Sequence, residues 1–323
     1  MKRLNGNKMV LVGFVAVVVL SVGSAKADII FGGPTNLGTN VNSGACDDAL
    51  NISSDGLSII FSSDRPDWGT WDLYMSTRET TEDDWGPSVK LSSTLNGPRS
   101  ESYPSLSADG LELFYTAPFW QAGWTQFGGA DLWVSKRSTV SDEWSAPVNL
   151  GELVNTSFHD TEPSISADGL ELYFSSDRPG GYGESNIWVT KRQTRNDPWQ
   201  EPVNLGPTIN SGTEGTPNIS TDGLVLLFAS GRSGGYGKGD IWLSRRKSKE
   251  DPWQEPVNIG PPVNDSGGQW APCISHDGST LYFTDSGKQP KYGCFDLWQV
   301  DVSPSVDFNG DDYIDIEDLL ILV

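Results

Sequence analysis

One stretch of this chain is written five times. The dipeptide Asp-Gly recurs at Asp55, Asp109, Asp168, Asp222 and Asp277, at spacings of 54, 59, 54 and 55 residues. A second landmark follows each: Asp72-Leu-Tyr74, Asp131-Leu-Trp133, Asn186-Ile-Trp188, Asp240-Ile-Trp242 and Asp296-Leu-Trp298. A fixed period of this length means that each unit buries its apolar face against the next, so the repeat decides the architecture before any single residue does.

Within a unit, Pro163-Ser-Ile-Ser166, the turn at Ala167-Asp-Gly169 and the run from Leu170 to Ser175 predict a two-stranded hairpin. Asn186 to Arg192 predicts a third strand, and Trp199 to Leu205 a fourth, placed at an edge because Pro202 cannot donate to a ladder. Four strands per unit make a propeller blade. The fifth unit stops after its third strand near Val302, and the segment Phe31-Gly-Gly-Pro34-Thr-Asn36-Leu37-Gly38 supplies the missing fourth. The expected fold is therefore an all-β, five-bladed propeller of four-stranded blades, its last blade closed by the N-terminal strand so that no sheet edge is left open. The repeats lie at 45–92, 99–151, 158–206, 212–260 and 267–302 plus 31–38, within a domain spanning 28–303.

The flanks differ from the repeats. Lys2, Arg3 and Lys8 precede an apolar run from Met9 to Val22, and Ala25-Lys26-Ala27 has the form of a signal-peptidase site, so residues 1–27 predict a cleaved leader and an exported, periplasmic or extracellular, protein. Loss of that leader removes four basic residues and no acids, taking the formal net charge from −21 to −25. Such a charge excludes nucleic acid as a partner and disfavours anionic membranes. The mature chain is expected to be a monomer without membrane insertion. Of the three cysteines, Cys273 and Cys294 share the last repeat and are the expected disulfide, leaving Cys46 over.

After Pro304 comes an acidic tail, 304–323, whose oxygen-bearing residues Asp307, Asn309, Asp311, Asp315 and Asp318, with the Tyr313 carbonyl, fall at positions 1, 3, 5, 9, 12 and 7 of an EF-hand-type loop. These residues make Ca2+ the expected cofactor. The tail resembles one calcium repeat of a type I dockerin, with glycine at position 4.

Loops connecting second to third strands and linking blades share one face, here the upper one. Eight of the 13 tryptophans sit at repeated positions, whereas Trp68, Trp71, Trp120, Trp124 and Trp270 fall in upper-face segments. With Phe119, Phe127, Tyr182, Tyr236 and Tyr292 they form a candidate platform for a glycan or protein ligand. Ring-on-ring packing that holds the long loops explains the same pattern. Asp47, Glu101, Asp160 and Glu214 stand eight residues before their turn aspartates, at the mouth of the central channel. They could hold a cation or act as acid and base, and Arg65, Arg178 and Arg232 offer a purely structural pairing for them.

The units resemble the WD-repeat-like modules of TolB-type periplasmic β-propellers, through Pro-x-x-Ser-x-Asp-Gly followed by Asp-[Ile/Leu]-[Trp/Tyr] at Pro104 to Trp133, Pro163 to Trp188, Pro217 to Trp242 and Pro272 to Trp298. The first unit has Leu50 in place of the proline. A binding or interaction propeller without catalysis is the function expected from this reading, because the carboxylates repeat along with the scaffold. The alternatives are a glycoside-active enzyme using upper-face carboxylates, such as Glu101 with Asp160 or Glu162, and a TolB-like partner of envelope proteins. His159-Asp160 is the one candidate acid–base neighbour pair containing histidine.

Overall fold

A computed structural model describes residues 29–65, 70–98, 100–118 and 129–304. Two short strands open it, β1 (Ile29–Phe31) and β2 (Thr35–Asn36). Blade 1 comprises β3 (Asp47–Ile52), β4 (Ser58–Ser63), β5 (Asp72–Thr77) and β6 (Val89–Lys90). Blade 2 comprises β7 (Ser102–Leu106), β8 (Glu112–Pro118), β9 (Ala130–Lys136) and β10 (Val148–Asn149). Blade 3 comprises β11 (Asp160–Ile165), β12 (Glu171–Ser176), β13 (Asn186–Lys191) and β14 (Val203–Asn204). Blade 4 comprises β15 (Glu214–Ile219), β16 (Val225–Ser230), β17 (Asp240–Arg245) and β18 (Val257–Asn258). Blade 5 takes β19 (Gln269–Ile274), β20 (Thr280–Asp285) and β21 (Asp296–Pro304), and both β1 and β2 pair antiparallel with β21.

The turn chemistry explains why each hairpin forms where it does. In blade 3, Asp168 Oδ1 accepts the Leu170 N–H at 2.9 Å and the Ser166 hydroxyl at 2.6 Å, while Gly169 takes φ +73°, which only glycine adopts without strain. Middle strands are buried on both faces: every residue of β12 is buried, so its sequence ELYFSS reads as a continuous run instead of an alternation. Between blades 2 and 3 the packed layer is Phe114, Leu132 and Val134 against Leu172, Phe174 and Trp188.

Two expectations change. The fourth strand shrinks to the two residues of β14, because Pro198 and Pro202 carry no N–H and hold the chain off the ladder. Trp199 therefore does not enter a strand; it lies under the Arg192 guanidinium at 4.4 Å and meets Phe114 of the neighbouring blade edge-on at 6.1 Å. The disulfide joins Cys46 to Cys294, with Cα atoms 4.9 Å apart, and Cys273 is buried as a thiol. Sequence proximity misled here: blades 1 and 5 are neighbours in a closed ring, so residues 248 apart in sequence meet.

Candidate functional site

The five inner strands, β3, β7, β11, β15 and β19, line a small axial cavity of about 30 Å³, with walls that include Ala49, Tyr103, Glu162, Thr216 and Ala271. Each inner strand breaks register at the same place, between Asp48/Asn51, Ser102/Ser105, Thr161/Ser164, Gly215/Asn218 and Trp270/Cys273. The bulge puts a residue with positive φ on the axis in every blade: Ala49 at 50°, Tyr103 at 52°, Glu162 at 59°, Thr216 at 46° and Ala271 at 47°. Such backbone costs on the order of 1–2 kcal/mol per residue for an L side chain, so something must hold it.

What holds it is a ring of bonds between blades. The N–H of Ala49 donates to Thr284 Oγ1 (3.2 Å), of Tyr103 to Ser62 Oγ (2.9 Å), of Glu162 to Thr116 Oγ1 (2.9 Å) and of Ala271 to Thr216 Oγ1 (3.1 Å). At the fifth junction the Thr216 N–H donates to a carboxylate instead, Glu162 Oε2, at 2.6 Å.

The backbone of this ring repeats, but its side chains do not. At the two bulge positions the blades carry Asp48-Ala49, Ser102-Tyr103, Thr161-Glu162, Gly215-Thr216 and Trp270-Ala271. Asp48 is buried, and its Oδ1 accepts the Trp270 indole N–H at 2.9 Å and the Ala49 N–H at 2.7 Å. Burial pushes its carboxyl up to about 6 against those donors and the Thr284 hydroxyl, with the Glu162 charge adding to the rise. Burial also raises the Glu162 carboxyl, although Oε2 accepts the Ser175 hydroxyl at 2.6 Å as well as the Thr216 N–H. Tyr103 comes from the blade between them; burial first, then the charges of Asp48 and Glu162, hold its phenol well above the ordinary range. A Cβ on Gly215 would lie 2.9 Å from Glu162 Oε2, so a larger residue there would push the carboxylate aside. Trp270 is fixed edge-on by Phe295, with centroids 4.8 Å apart.

The carboxylates expected at the channel mouth are engaged elsewhere. Asp47, Asp160 and Glu214 are fully buried, and each is bound to an arginine of its own blade, Arg65, Arg178 and Arg232. Each also accepts an N–H of the preceding link, and Glu214 the Ser230 hydroxyl of its own blade, so they fasten loops to blades. Glu101 is also fully buried but its Oε1 has no hydrogen-bond partner among the described residues. The His159-Asp160 pair does not exist: the His159 Nδ1 accepts the Ala130 N–H at 3.3 Å, and Asp160 is held by Arg178 and Thr156.

Of the aromatic platform, Trp270 alone among the described members touches the axial cluster. Trp71 is half-buried beside Ser100, and Tyr182, Tyr236 and Tyr292 are exposed on the rim. Trp68, Phe119, Trp120, Trp124 and Phe127 lie outside the described residues, as do the leader and the calcium-loop residues Asp307, Asn309, Asp311, Tyr313, Asp315 and Asp318. Asp48 was passed over in the sequence because it stands next to the repeated Asp47. The signal that could have found it is contrast, since the two bulge positions change chemistry in every blade.

No protein-family model matches the chain, and no curated protein matches it. Among solved structures the fold matches the family 117 glycoside hydrolase Zg3597 of Zobellia galactanivorans at a TM-score of 0.55 and 13% identity, over 88% of this chain and 92% of that one. It matches the xylan β-1,4-xylosidase of Bacillus halodurans C-125 at 0.52 and 18%, over 86% and 56%, and TolB of Acinetobacter baumannii at 0.46 and 16%, over 85% and 63%. This chain thus spans less than two thirds of the xylosidase and of that TolB. At these identities the likeness is one of fold.

The expectation of a non-enzymatic interaction module is overturned at this point. The matches at 0.5 or above include α-L-arabinofuranosidases beside the two hydrolases just named. Its ground also fails: three of the four carboxylates that repeat are fastened to arginine, whereas the bulge residues Asp48 and Glu162 do not repeat.

Proposed function

We propose that the chain is a glycoside hydrolase acting at the axial mouth, with Asp48 as general acid and Glu162 as the second carboxylate. The observation that carries this reading is the convergence of two carboxyl groups from blades 1 and 3, each raised by burial, on either side of Tyr103. Glycoside cleavage needs one carboxyl that is protonated near neutrality and one that attacks or activates water. Asp48 suits the first task because burial brings it to about 6. In Glu162 both donors go to Oε2, which leaves Oε1 as the oxygen available to water or to a sugar carbon. The Trp270 ring supplies a flat apolar face of the kind sugars stack on. The fold neighbours named for arabinofuranosidase and xylosidase activity favour a plant-polysaccharide side chain or backbone as substrate. Export fits a polymeric substrate, and a disulfide is what an oxidising compartment allows.

The test is release of sugar from arylfuranosides, arylpyranosides and soluble arabinoxylan by the purified protein, with Asp48→Asn and Glu162→Gln beside it. Each variant is expected to lose about 10²–10⁴-fold in kcat/KM while keeping its thermal midpoint within a few degrees. A protein inert on all of these substrates, or variants as active as the parent, would overturn the reading. The pH profile has a definite sign. A raised carboxyl pKa means that the protonated acid is present below about 6 and is lost as pH rises through that value, so activity should decline on that limb, and the limb should vanish in Asp48→Asn.

A further inference from the structure

Because the blades are five versions of one design, each departure can be judged against its siblings. In blades 1, 3 and 4 the buried carboxylate eight residues before the turn has a fixed set of partners. One oxygen accepts an N–H of the preceding link, Ser43 (2.6 Å), Thr156 (2.6 Å) or Ser211 (3.1 Å). The other takes Nη2 of an arginine ten residues after the turn, Arg65, Arg178 at 2.5 Å or Arg232 at 3.1 Å. That Nη2 also reaches a backbone carbonyl, of Val41, Val154 or Ile209, and Nε donates to Ser63, Ser176 or Ser230.

Blade 5 changes every part together. Gln269 replaces the acid, Asp285 replaces the serine, and Gln269 Nε2 donates to Asp285 Oδ2 at 2.6 Å, with Lys288 at 3.8 Å from the same oxygen. Blade 2 changes only one half. Glu101 keeps the carboxylate and its Oε2 accepts the Gly97 N–H at 3.0 Å, but position 119 is Phe where the siblings have Arg, and Ala117 stands where they have Ser. Glu101 is 0% exposed and its Oε1 has no hydrogen-bond partner among the described residues. Leu95 occupies the place of Val41, Val154 and Ile209, which in three blades present their carbonyls to the guanidinium.

We propose that Glu101 Oε1 and the Leu95 carbonyl form a receptor for a guanidinium group brought from outside the chain, on a small guanidine or on the arginine side chain of a peptide. The planar donor fork of a guanidinium is the group that the same acid and the same carbonyl bind in the three complete blades. An unpaired buried carboxylate is costly, and burial pushes the Glu101 carboxyl up to about 8, with Asp72 adding to the rise and Lys90, itself paired to Asp72 at 2.7 Å, opposing it. Tyr115 is the other titratable group that feels the Glu101 charge. Without ligand the group therefore holds a proton at neutral pH, and a bound cation displaces it. This site is independent of the hydrolase reading, since its test reads binding and not turnover.

The experiment is titration calorimetry of methylguanidinium, and separately of the tripeptide Gly-Arg-Gly, into the intact protein at pH 7 in buffers of different ionisation enthalpy. One site is expected, with heats that change between buffers as about one proton is released per ligand. Glu101→Gln should bind at least ~100-fold more weakly, because a neutral amide offers no charge to pair. Binding of methylguanidinium alone or of both titrants supports the receptor and separates the two sources. No heat from either, or binding that Glu101→Gln does not weaken, overturns it.

Discussion

A buried asparagine sits in each link between blades. Asn155, fully buried, accepts the Leu132 N–H at 2.9 Å, donates back to the Leu132 carbonyl at 3.0 Å, and donates to Asn149 at 2.9 Å. Asn42, Asn96, Asn210 and Asn264 do the same for Leu297, Leu73, Ile187 and Ile241. Each completes the third-strand ladder just beyond a fourth strand too short to do so. Asn155→Ala would leave the Leu132 N–H buried without a partner and its carbonyl with the Leu150 N–H alone, so we expect a loss of about 1–3 kcal/mol and a thermal midpoint lower by roughly 2–12 °C. Ser157→Ala, exposed in the same link, should stay within about 0.5 kcal/mol in the same melts. The recurrence of these asparagines is visible in the sequence, but their purpose is not, because a polar residue at a fixed interval looks the same whether it faces water or clamps a strand.

Among the elements, the shortest ones carry the closure. β1 pairs Ile29, Ile30 and Phe31 with Pro304, Ser303 and Val302, and β2 pairs Thr35 and Asn36 with Gln299 and Trp298, so β21 has its outer edge covered along two stretches. A chain beginning at Leu37 would expose that edge and uncover Val300 and Val302. We expect it to melt at least ~10 °C lower and to form dimers or larger species in size-exclusion chromatography, as an open edge recruits another copy. A monomer of unchanged stability would show that the closing strands are dispensable. Middle strands were fully legible because an apolar run between two turn signals has few other uses. The fourth strands were legible as edges but overlong, since proline decides pairing one hydrogen bond at a time.

At the scale of the whole molecule, three devices cross the one junction where the chain's two ends meet: the β1–β2 pairing, the Asn42 clamp on Leu297, and the Cys46–Cys294 disulfide. Replacing both bridged cysteines by serine should cost about 2–5 kcal/mol, read as a lower denaturant midpoint. Cys273→Ser should not reproduce that loss, and the native Cys273 thiol, which burial pushes up to about 11, should react with an alkylating reagent only on unfolding. The sequence by itself determined the number of blades, the turns and the velcro-like use of the N-terminal segment, because these follow from local rules that five copies state five times. Only the tertiary structure decided which cysteines join, which carboxylates are fastened, and that the bonded pair Asp48 and Trp270 lies at the same ring of bulges as Tyr103 and Glu162. Those residues come from four different repeats, each an exception within its own, and exceptions meet only when the ring closes.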